Sequence, residues 1–117
     1  MYYRRKILLS LLQVFDNKLE KICLQKLLML FAKLQSKPDY HFVPYKFGCY
    51  SFQANADLFT MTQYGHVAEE ENFWHNTDKT DYICLLKEFD RQALLTILIC
   101  IAGKSKEELK YITYNTN

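Results

Sequence analysis

Apolar residues in the first third of the chain recur at helical spacing. Ile7, Leu8, Leu11, Leu12 and Phe15 fall on one stripe and predict a helix over residues 2–15. Asp16-Asn17 breaks it. Leu24, Leu27, Leu28, Phe31 and Leu34 repeat the pattern and predict a second helix from about Glu20 to Gln35, with Lys21, Lys26 and Lys33 on its wet side. Pro38 disfavours helical geometry at Lys37, so Ser36-Lys-Pro-Asp39 ends that helix. Residues 40–46 then read as a strand. Pro44 lacks an amide donor, which places the strand at an edge or ends it in a turn. Gly48 permits a tight turn, and Ser51 is placed to cap a third helix over residues 52–64, with Ala54, Leu58 and Met61 inward. Gly65 ends that helix.

The last third is less regular. His66–Trp74 and Thr80–Leu85 read as two short strands joined by the polar link His75-Asn-Thr-Asp-Lys79, although Glu69-Glu70-Glu71 is a poor strand former. Asp90 is placed to cap an apolar helix over Arg91–Ala102, closed by Gly103. Leu94, Leu95, Ile97, Leu98, Ile99 and Ile101 cover more than one of its faces, so it is buried on several sides or forms an interface, a homodimer among them. Ser105-Lys-Glu-Glu108 is a capping-box pattern that starts a last helix. At 117 residues the chain is one domain with one modest core. The element order predicts an α+β, mainly helical domain of winged-helix type with a small β-hairpin wing.

Charge changes the picture more than composition does. The net charge is +2, but residues 1–46 carry +6, residues 47–78 carry −5 with no Lys or Arg, and residues 79–117 carry +1. The cysteines, Cys23, Cys49, Cys84 and Cys100, form no CxxC pair. Three of them, Cys23, Cys84 and Cys100, lie in apolar runs and are expected buried and reduced, in a cytoplasmic setting. The basic start Met1-Tyr-Tyr-Arg-Arg-Lys is followed by an apolar run too short for a signal peptide or a membrane span.

Few constellations suggest chemistry. His41, His66 and His75 are scattered, and no ligand pair has zinc-site spacing, so no metal site and no cofactor are expected. Cys49 lies in a turn before a helix N-terminus, with His41 or His66 as a conceivable base. No complete nucleophile, base and orienting group can be assembled, and no enzyme is expected. Glu69-Glu70-Glu71 with Asp57 lacks the interleaved ligands and the glycine of a calcium loop.

Two recognition readings remain. A winged helix that binds DNA reads bases with its third helix, and here that helix offers Gln53, Asn55, Thr60 and Gln63. It has no basic residue, and phosphate neutralisation supplies most of the affinity for DNA. Basic residues lie elsewhere, at Arg4, Arg5, Lys6, Lys18, Lys21 and Lys26. They can touch nucleic acid through another face or simply be solvated. Protein recognition would use an aromatic cluster of Phe47, Tyr50, Phe52 and Phe59, with Asn55 beside them, as anchors. The competing expectation is that Phe52 and Phe59, seven residues apart, pack inward.

Leu24-Gln25-Lys26-Leu27-Leu28, Tyr45-Lys46-Phe47-Gly48-Cys49-Tyr50-Ser51, Asp57-Leu58 and Tyr64-Gly65-His66-Val67 resemble the Panacea antitoxin domain and its SocA-like and YwgA-like relatives. The similarity covers residues 5–67. Cys49 stands where Pro is usual, and Tyr45 where many members have Trp. The resemblance implies a small helical, winged-helix-like domain that binds a partner protein, often a toxin, and that acts as an adaptor in SocA-like members. It carries over no catalytic residue. Relatives often continue further, which implies the N-terminal domain of a longer protein, whose C-terminal domain is a second conceivable partner. The expected function is therefore a non-catalytic, antitoxin-like or regulatory protein-binding module, with DNA binding as the alternative.

Overall fold

The computed structural model describes residues 1–46 and 48–101. Phe47, Gly103 and the helix expected from Ser105 lie outside the described residues. The first helix, α1 (Tyr3–Val14), buries six consecutive residues from Ile7 to Leu12. Leu9 and Ser10 thus join the expected stripe, and α1 is covered on every side as the central element of the core. Asp16 and Asn17 take positive φ, 62° and 67°, which Asp and Asn tolerate better than most residues. They turn the chain into β1 (Lys18–Glu20), a short strand that hydrophobic patterning did not indicate.

The second helix, α2 (Lys21–Leu34), has a wider buried face than its leucine repeat suggested. Lys26, expected on the wet side, is only 2% exposed, while Leu34, expected inward, is exposed at the last helical position. Neighbours from α1, from the following hairpin and from the last helix all contact α2, so its buried arc exceeds one stripe.

Residues 40–46 are not one strand. Tyr40 is buried in the core, and Val43–Tyr45 (β2) pairs with Gly48–Tyr50 (β3) as an antiparallel hairpin, with Gly48 at φ 111°. The helix α3 (Phe52–Gln63) follows as expected. Ser51 Oγ accepts the Ala54 N–H at 3.2 Å, Ala54, Leu58 and Met61 face inward, and Gly65 leaves the helix at φ 78°.

The strands β4 (Val67–Glu70) and β5 (Phe73–Asn76) form a hairpin around Glu71-Asn72. Trp74 on β5 enters the core, and β1 pairs with the other edge of β5 to give an antiparallel sheet of order β1-β5-β4. The second strand was expected at Thr80–Leu85. Side-chain acceptors explain the difference. Asn76 takes the Asp78 N–H at 3.1 Å, Asp78 takes the Thr80 N–H at 2.9 Å, and Asp81 takes the Cys84 N–H at 3.3 Å. These local bonds favour turns over a ladder, and Ile83–Leu85 is a 3-10 turn.

The last described helix, α4 (Glu88–Ile101), begins before Asp90. Asp90 does not cap it. Its carboxylate accepts the Tyr3 hydroxyl at 2.6 Å and Gln35 Nε2 at 3.2 Å, tying α1, the end of α2 and α4 together. Ala93, Leu94 and Ile97 are buried, whereas Phe89, Leu95 and Ile99 are exposed. Cys84 and Cys100 are exposed as well, so two of the three cysteines expected inside apolar runs lie at the surface. The chain is thus an α+β, mainly helical domain. Among the described residues no helix is long and apolar enough to cross a membrane.

Candidate interaction surface

Part of the charge asymmetry in the sequence is resolved by long-range pairing. Asp57, on the inner side of α3, is 1% exposed. It accepts Arg4 Nε at 2.7 Å and Nη2 at 3.2 Å, Arg5 Nε at 3.1 Å, the Tyr40 hydroxyl at 2.7 Å and Gln53 Nε2 at 3.1 Å. Burial alone would raise its pKa. The guanidiniums and the tyrosine outweigh burial and hold the carboxylate below its ordinary value. Tyr40 moves far upward, first through burial and then through its bond to Asp57. Sequence reasoning had weighed Asp57 only as a cation ligand. The available signal was a single acid among the inward apolar positions of α3, with an Arg-Arg pair elsewhere in the chain.

The other basic candidates pair similarly. Lys21 bonds Glu69, and Lys18 lies 3.9 Å from Glu70. Arg4, Arg5, Lys18 and Lys21 therefore all face carboxylates, Lys26 is buried, and Lys6 is half-buried. Gln53 is exposed but donates to Asp57. Most of the N-terminal basic set is engaged within the fold. The exposed pairs at Lys18 and Lys21 add little stability, but all four pairings leave less net positive charge for a polyanion.

The aromatic candidates behave differently. Tyr50 and Phe52 form a mutual cluster with Tyr45, which the sequence reading had not included, with ring centroids 4.9 to 5.3 Å apart in tilted and edge-on geometries. Phe52 is 55% exposed, and Tyr45 and Val43 beside it are also exposed. Phe59 is 45% exposed and sets its ring edge-on to the buried Trp74 at 5.3 Å. Neither Phe52 nor Phe59 packs inward as the competing expectation held. Asn55 is half-buried on the same helix.

This cluster rests on a fixed base. Gln25 Nε2 donates to the Ser51 carbonyl at 3.1 Å, and the Ser51 N–H donates to Gln25 Oε1 at 2.8 Å. The buried junction between β3 and α3 is thereby held against α2. On the hairpin, the position opposite Cys49 is taken by Pro44, whose missing N–H blunts strand addition along that edge. The faces of the rings, not the strand edge, are what this hairpin offers.

His41 and Cys49 line one shallow cavity of about 280 Å³ beside Tyr40 and Phe42. His66, the other base considered for Cys49, is instead bonded through Nδ1 to Asp78 at 2.6 Å. Among the described residues no group of three or more His, Cys, Asp or Glu is arranged to hold a metal ion. No protein-family model matches the chain, and no curated protein or solved structure matches it.

Proposed function

We propose that this chain is a non-catalytic interaction module of winged-helix type, and that Tyr45, Tyr50 and Phe52 anchor a protein partner. The observation that carries the reading is the three-ring cluster, with Tyr45 and Phe52 exposed and Tyr50 half-buried, on a buried, hydrogen-bonded base. Rigid aromatic groups in such a setting supply binding energy at low entropic cost. The order α1-β1-α2-β2-β3-α3-β4-β5, with the β2–β3 hairpin inserted between the second and third helices, and the sheet order β1-β5-β4 support the winged-helix assignment, the β4–β5 hairpin serving as wing. The resemblance to Panacea-type antitoxin domains favours a toxin, or a C-terminal domain of the same protein, as the partner in a cytoplasmic setting. The exposed Leu95 and Ile99, one turn apart on α4, offer a separate route to a homodimer.

The test is purification of the native complex with the wild-type chain and with Tyr45→Ala/Phe52→Ala. A stoichiometric protein that is retained by the first and lost from the second supports the proposal. Retention by both, or recovery of nucleic acid without a protein partner, refutes it. DNA binding stands second because α3 exposes Gln53 and Gln63, which can read base edges. A steep salt dependence of duplex binding, weakened by Lys6→Glu in a protein that keeps the wild-type Trp74 fluorescence, would favour that second reading.

A further inference from the structure

We infer that the cavity between the start of α1 and the end of α3 is a binding site for a small organic anion with a flat apolar body and one carboxylate or phosphate. The cavity measures about 430 Å³ and is lined by Met1, Tyr2, Arg5, Met61, Tyr64 and His66. That volume is in the range of small-ligand sites. Its floor is the fully buried Met61, and Tyr64 at its rim is 70% exposed. Tyr2 is exposed too, and the Arg5 guanidinium lies 4.9 Å from its ring centroid.

The polar groups converge on an anion. Arg4 and Arg5 share the single carboxylate of Asp57, so the cluster keeps one surplus positive charge. Arg5 reaches Asp57 through Nε, and its terminal nitrogens have no protein acceptor among the described residues. His66 is fixed through Nδ1 by Asp78, which is itself held by the Tyr82 hydroxyl at 2.5 Å and the Thr80 N–H at 2.9 Å. The ring nitrogen left for a ligand is Nε2. A carboxylate or phosphate can accept from the Arg5 guanidinium, and from His66 Nε2 when the imidazole carries both protons, while a flat ring stacks against Tyr2 or Tyr64, whose ring lies 6.4 Å from that of His66. A cation has no such reception, because Asp57 and Asp78 are already occupied by donors.

Phenyl phosphate is the probe, with phenol and inorganic phosphate as its separate halves. Binding is read by NMR at the Met61 methyl and the His66 ring. Phenyl phosphate should give saturable shifts at both, with half-saturation at about 1 mM or below. Phenol and inorganic phosphate should each bind about tenfold more weakly. Tyr64→Ala removes a side chain with no hydrogen bond among the described residues and should weaken phenyl phosphate severalfold. Arg5→Lys keeps a positive charge for Asp57 but loses the planar fork, and should weaken it about tenfold. Absence of saturable shifts at the cavity, equal binding of inorganic phosphate and phenyl phosphate, or unchanged binding in both variants would overturn the inference.

Discussion

Replacing Asp57 should unfasten the fold more than any other single polar change among the described residues. Its carboxylate accepts five hydrogen bonds while almost wholly buried. In Asp57→Ala the arginine side chains, 29% and 16% exposed, recover some water. Tyr40 does not, and its buried hydroxyl is left without its acceptor. Breaking a buried ionic cluster from one side costs about 3–5 kcal/mol. A domain of this size has roughly 5–15 kcal/mol in all, so the loss is a large share of its stability. Asp57→Asn keeps the volume and one acceptor but loses the charge, and should cost about 2–3 kcal/mol. Tyr40→Phe keeps both arginine contacts and should cost about 1–2 kcal/mol.

Trp74, the sole tryptophan and fully buried, reports unfolding in urea by its fluorescence. The pH dependence has a definite sign. The folded pKa of Asp57 is depressed, so its contribution is whole above the ordinary value of 3.8 and is lost as pH falls through the lower folded value. The stability gap between wild type and Asp57→Asn should therefore close under acid. A gap below about 0.5 kcal/mol at neutral pH would refute the account. So would a Tyr40→Phe cost equal to that of Asp57→Ala, which would assign the effect to the hydroxyl alone.

Two further outcomes follow from buried polar groups. Ser10 is fully buried in α1, and its hydroxyl has no partner among the described residues, so Ser10→Ala should raise stability by about 1 kcal/mol in the same urea assay. The Tyr3 hydroxyl, pushed up to about 12 first by burial and then by Asp90, should stabilise the fold fully below pH 10 and lose that contribution as pH rises toward 12. Alkaline titration of Tyr3→Phe should lack that part of the decline.

Helix periodicity, the Ser51 cap and the Gly65 stop were legible because each is local. A leucine repeat, a hydroxyl three residues before an amide and a glycine at positive φ need no distant partner. The β4–β5 hairpin was half legible. Phe73 and Trp74 were read into its first strand, but the tight turn at Glu71-Asn72 puts them in the second. Lys26 and Asp57 were misread for a different reason. Their surroundings come from elements far away in the chain, and no local pattern marks a polar residue that folding will enclose. The exposure of Phe52 and Phe59 was likewise undecidable from spacing, since seven residues apart suits an inner and an outer helix face alike.

The segment charges of +6 and −5 look like two surfaces when read along the chain, one for a polyanion and one repelling it. In the fold, part of the two meets in one set of contacts. Arg4 and Arg5 clamp α1 to α3 through Asp57, while Lys18 and Lys21 face β4 at Glu70 and Glu69. This pairing fixes the position of α3, and Gln25 fixes the residue just before it, Ser51. Phe52 begins that helix and completes the ring cluster with Tyr45 and Tyr50. On the function proposed above, the electrostatics act on recognition indirectly, because an uncharged aromatic face held in place beforehand leaves less ordering for the binding step. On this reasoning salt should affect the stability of the fold more than the affinity of the aromatic face, the reverse of what a phosphate-binding surface would show.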